Sequence, residues 1–136
     1  MKISVANAIA VLLSGVKINK IEDKDAKAAL LKDYIALRRV VKDADEAKGE
    51  IIRKFQEDWA EVLPAVQAFR DKNEAVVGYD DYLEAEKDAN RAIQDIYAGD
   101  VDIDLSPVKM EAIMAFSEDI TLEQIAFLQE CGIIEE

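Results

Sequence analysis

A stripe of apolar residues at helical spacing runs from Leu30 to Phe69 and constrains the fold of this chain more than any other feature. Leu30, Tyr34, Leu37, Val41 and Ala44 step by four, three, four and three residues, and Ile51, Phe55, Val62, Val66 and Phe69 continue the phase. An α-helix turns once every ~3.6 residues, so such a set lines one side of it. The pattern predicts a long amphipathic helix or helical hairpin whose seam needs a partner surface. Two residues could interrupt it. Gly49 lies in the polar stretch Lys42 to Glu50, and Pro64 either kinks the helix or opens a new one.

Around the stripe the sequence marks shorter elements. Ser4 is an N-cap candidate for a first helix whose inner face is Val5, Ile9, Leu12 and Leu13, with Gly15 as its stop. Residues 16–21 alternate apolar and polar, predicting an extended connector or short strand. The acidic cluster Glu22, Asp23 and Asp25 favours a helix start, through capping and the helix dipole. Residues 73–79 form a turn or short extended segment. Asp80 then caps a helix with the face Tyr82, Glu86, Ala89, Ile93 and Ile96, closing at Gly99. Val101-Asp102-Ile103-Asp104-Leu105 alternates strictly and is the best strand signal in the chain. Ser106-Pro107 starts a short helix to Phe116. Thr121 and Gln124 form a capping box for a last helix, which ends at Gly132 with Ile133 packing back. The fold class is therefore mainly α: a long antiparallel helical hairpin with short additional helices and a minor β element, in a single helical domain spanning 1–136.

Charge narrows the functional classes. The chain has 29 acidic and 17 basic residues, a net charge of −12. A phosphate-backbone binder needs a basic footprint, and Arg38-Arg39 with Lys42 is soon followed by Asp43, Asp45 and Glu46. No direct nucleic-acid binding is expected. The apolar runs, such as Ala8 to Leu13, are too short for a bilayer span, and the N-terminal run lacks the layout of a signal peptide. The single Cys131 allows no internal disulfide, which fits a reducing cytoplasm.

The chemistry inventory is short. There is no histidine, no cysteine cluster and no glycine-rich phosphate loop. Cys131 precedes a capping glycine without a basic neighbour, so it reads as a buried structural thiol. Asp100, Asp102, Asp104 and Glu111 match the acidic spacing of an EF-hand calcium loop, but Leu105 stands where that loop needs glycine and Pro107 falls inside it. The better reading is a strand with Asp100, Asp102 and Asp104 on its solvent face and Val101, Ile103 and Leu105 toward the core, a candidate acidic face for a basic partner. No catalytic residue, metal or cofactor is expected. The candidate interface is the widest part of the stripe: Ile52, Phe55, Trp59, Leu63, Val66 and Phe69. Aromatic residues at such positions serve as core or as contact anchors.

The order of these elements resembles that of small tailed-phage and prophage proteins of unknown function. The shared layout is an opening like Met1-Lys2-Ile3-Ser4-Val5-Ala6-Asn7-Ala8, a charged helical hairpin, a Gly78-Tyr79 segment leading into an acidic helix, the alternating stretch 101–105, and a C-terminal helix with a Thr-Leu start at Thr121. The polar stretch 43–50 and the Pro64 break depart from it. The resemblance implies a phage-encoded protein made in the host cytoplasm and associated with virion assembly. It transfers no catalytic residue. The expected function is non-enzymatic, through contacts with protein partners and with copies of itself in a homo-oligomer. The alternative is an acidic inhibitor or nucleic-acid mimic that binds a host DNA-binding protein.

Overall fold

A computed structural model describes residues 1–72, 79–114 and 120–135, without the side chains of residues 69–72. Six α-helices are found among the described residues: α1 (Ile3–Ser14), α2 (Lys24–Asp58), α3 (Leu63–Lys72), α4 (Tyr79–Ala98), α5 (Met110–Met114) and α6 (Leu122–Glu130). The chain is mainly helical, as its periodicity predicts. It divides into two compact units: Met1–Lys42 with Asp100–Glu136, and Asp43–Gly99.

The first unit holds most of the core. Ile9 and Leu13 of α1, Leu30 and Leu37 of α2, Ile113 of α5, Leu128 of α6 and Ile133 beyond it are sealed from solvent in one cluster. The helix ends follow capping chemistry. Asp23 Oδ1 accepts the N–H groups of Asp25 (3.0 Å) and Ala26 (3.3 Å), satisfying amides that open α2. Thr121 and Gln124 form the expected reciprocal box at α6. Gly132 adopts φ +84°, and the N–H of Ile133 turns back to the Leu128 carbonyl at 2.9 Å. Ile133 is fully buried there.

Several local expectations need correction. α1 begins two residues early: Lys2, not Ser4, is the N-cap residue, and its side chain makes no capping bond. Residues 16–21 contain a 3-10 turn at Ile18–Lys20 instead of a strand. Ser106 does not open a helix. Its N–H is taken by Asp33, and the next helix waits until Met110. Phe116 lies outside the described residues. The minor β element reduces to two isolated bridges, Lys2 with Asp100 and Val108 with Ile134, with no sheet among the described residues. The alternation at 101–105 still sorts sides: Val101, Ile103 and Leu105 are half-buried while Asp102 and Asp104 are exposed. Alternation fixes which way side chains face, but a ladder needs a second strand, and the Val101 N–H finds only the Met1 carbonyl (2.8 Å).

The second unit contains the last part of α2, then α3 and α4. Gly49 does not break α2, which continues to Asp58. A Cβ at Gly49 would meet nothing within 4 Å, so the residue faces open space and costs only its own weak helix propensity. Ion pairs from Arg53 to Glu50 (2.8 Å) and to Glu57 (2.7 Å) follow it on the exposed surface. The break falls at residues 59–62, where the N–H groups of Val62 (3.0 Å) and Leu63 (2.9 Å) both bond the Trp59 carbonyl. Pro64 then sits in the first turn of α3, where a missing N–H leaves no helical bond unmade. Asp80 lies in the first turn of α4 rather than before it.

Candidate functional site

The second unit buries little apolar surface for its size. Among its described side chains only Ala44, Val66 and Tyr82 are buried apolar residues. The rest of its apolar set, including Ile51, Phe55, Trp59, Val62, Leu63, Leu83, Ala89, Ile93 and Ile96, is half-exposed. Three helices joined by short connections ordinarily seal such a set between them.

Part of that set, with Ile52, lines a cleft of about 340 Å³. Ile52, Phe55 and Gln56 reach it from α2, Leu63 from the start of α3, and Tyr82, Glu86, Ala89, Asn90 and Ile93 from α4. The α4 residues recur every three or four positions, so its inner stripe is aimed at the cleft. Tyr82 is the organising side chain. Its ring centroid lies 5.5 Å from that of Phe55, 5.8 Å from that of Trp59 in an edge-on arrangement, and 6.4 Å from that of Tyr79 in a stacked one. Its hydroxyl donates to Glu86 Oε2 at 2.9 Å, giving the buried ring a polar outlet. Elsewhere in this unit the Tyr97 hydroxyl donates to Asp45 Oδ1. That bond, then burial and the Asp45 charge, push the phenol up to about 12.

The six candidate interface residues divide. Ile52, Phe55 and Leu63 line the cleft, and Ile52 is 37% exposed. Trp59 stands behind it against Tyr82. Val66 is only 2% exposed and belongs to the interior of the unit, not to a contact surface. The Phe69 side chain lies outside the described residues. Sequence reasoning missed the α4 wall, although the spacing of Tyr82, Glu86, Ala89 and Ile93 was visible. Nothing in that spacing said which stripe stays uncovered.

In the first unit, Asp100, Asp102 and Asp104 are all exposed. Asp100 pairs its backbone with Lys2 in a bridge, and Glu111 lies in the first turn of α5. The segment is extended, so it has no calcium-loop geometry. Among the described residues no three His, Cys, Asp or Glu side chains are grouped as a metal site requires. A larger cleft of about 1080 Å³ separates the start of α2 from residues 107–112. Its rim carries Glu22, Asp23, Asp25, Glu111 and Glu135 with Lys20 and Lys109, over an apolar floor of Ile21, Ala26, Ala29 and Val108. The half-buried Cys131 thiol is pushed up by burial and then by the Glu130 charge, away from the reactive thiolate. Among the described residues, no helix is long and apolar enough to cross a membrane.

Comparison with protein-family models, with curated proteins and with solved structures gives no match.

Proposed function

We propose that this chain is a non-enzymatic protein that works through protein–protein contacts, using the apolar cleft of the 43–99 unit as its contact surface. One observation carries the reading: a three-helix unit with only Ala44, Val66 and Tyr82 as buried apolar residues among its described side chains. Burying further apolar surface yields about 25 cal/mol per Å², so a partner lid over Ile52, Phe55, Leu63 and Ile93 is favourable. The contacts of Asp45 with Tyr97 and of Phe55 with Tyr82 support an antiparallel α2/α4 pair as the hairpin that presents this cleft. Its partners are other protein chains and a second copy of itself. The setting suggested by the order of elements is a phage or prophage protein in the host cytoplasm, with virion assembly as its process.

The mimic reading has less support. A nucleic-acid mimic needs long rows of one sign. The exposed side of α4 mixes Lys87 and Arg91 with Glu84, Asp88 and Asp95, and Asp100, Asp102 and Asp104 make a row of only three.

The test is capture from an infected or lysogenic host with the wild-type chain and with Ile52→Glu, which puts a charge at the cleft mouth. The expected result is a partner held by the wild type and lost from the variant. Equal capture by both contradicts the cleft as the contact surface.

A further inference from the structure

Asp33 is the one fully buried polar or charged residue among the described residues, 0% exposed. It sits on the inward face of α2 between Leu30 and Leu37, both sealed in the core. Its Oδ1 accepts the Ser106 N–H at 2.8 Å. Its Oδ2 is buried without a hydrogen-bond partner.

Ser106 belongs to a stretch, 101–109, that has no helix of its own. The stretch is tied at one end by the Val101 N–H on the Met1 carbonyl (2.8 Å). Near the other end, the Val108 N–H bonds the Ile133 carbonyl (2.9 Å). Asp33 holds the part between. Immediately after it, Pro107, Val108 and Lys109 wall the 1080 Å³ cleft opposite Asp25, Ala26 and Ala29 of α2. The clasp therefore positions one side of that cleft.

An ionised carboxylate withdrawn from water is costly unless both oxygens are bonded, whereas the neutral acid is tolerated. The charged neighbours do not settle the matter in favour of the ion. Lys32 is exposed and reaches the Ser106 hydroxyl at 3.5 Å, while Asp104 adds charge of the same sign. Burial is the largest influence and raises the Asp33 carboxyl above its ordinary 3.8, Asp104 adding to it and the Ser106 N–H and Lys32 opposing it.

We propose that the buried Asp33 side chain stays neutral to higher pH than an exposed aspartate, and that its ionisation, by charging the partnerless Oδ2, releases residues 104–109 from α2 and makes the cleft wall a pH-responsive latch. Loss of the proton to water leaves a bare, charged oxygen in the interior. That penalty is relieved when the segment lifts and water reaches the carboxylate. The stabilisation is complete below the unfolded value of 3.8 and is lost as pH rises through the folded one.

The experiment is a carbon-13 carboxyl titration of the full chain by NMR, with amide exchange protection followed at Ser106 and Val108. Asp33→Asn keeps an acceptor for the Ser106 N–H and has no titrating proton. The expected result is an Asp33 midpoint above 3.8. Protection of both amides should fall through that same midpoint in the wild type and stay level in D33N. A midpoint at or below 3.8, or the same loss of protection in D33N, overturns the proposal. If D33N fails to fold, the wild-type titration alone decides.

Discussion

Gly132 occupies a left-handed conformation, φ +84°, at the end of α6. A Cβ there would meet nothing within 4 Å, so substitution costs backbone strain alone. Gly132→Ala should destabilise the chain by about 1 kcal/mol, read as a lower urea midpoint at unchanged slope. Tyr97 gives a pH signature. Its hydrogen bond to Asp45 holds the phenol at about 12, above the ordinary 10.0. A folded-state value above the unfolded one means that this contribution is fully present below 10.0 and lost as pH rises through about 12. A phenolate absorbance titration should show a step near 12 that Tyr97→Phe removes. The residue scale is also where sequence reading fell short. Gly132, Thr121 and Asp23 announce themselves by local rules, because capping bonds form within a few residues. Asp33 keeps the phase of the buried stripe, three residues after Leu30 and four before Leu37, but a charged residue at that phase reads as surface. Its partner, the Ser106 N–H, lies 73 residues away in the chain.

At the scale of elements, helices were legible and pairings were not. α2 was visible from its apolar spacing, but its true inner set is Ala26, Leu30, Asp33, Leu37, Val41 and Ala44, with Tyr34 only half-buried. Gly49 looked like a break because glycine is a poor helix former. It is tolerated because one such residue in a 35-residue helix is outweighed by its neighbours. Gly49→Ala should therefore stabilise α2 by about 0.5–1 kcal/mol. Thermal unfolding followed by circular dichroism should show a rise in Tm, and a fall would mean that Gly49 is needed for contact or bending. The strand signal at 101–105 predicted the facing of its side chains and missed the lack of a ladder. A ladder depends on a second strand that no local pattern specifies.

At the scale of the whole molecule, the two compact units divide within a continuous helix, so no linker composition marks the boundary at residues 42 and 43. The two units differ in how well they are filled. The first seals a core from α1, α2, α5 and α6, while the second leaves a mouth of Ile52, Phe55, Leu63 and Ile93 open. The net charge of −12 opposes bringing two copies together, and salt screens exposed charges over a Debye length of about 8 Å at physiological ionic strength. Association through the cleft should therefore strengthen with added salt. Other exposed apolar residues, Leu31 and Ile35 on α2 and Leu122 at 78% exposure, are rival contact points, and Ile52→Glu separates them from the cleft. The most direct measurement is sedimentation velocity at micromolar concentration, in low and in high salt, for the wild type and Ile52→Glu. The account predicts a self-associated wild type that is more fully assembled at high salt, and a variant that sediments as a single chain in both. A wild type that sediments as a single chain in both conditions, or a variant that associates as the wild type does, contradicts it.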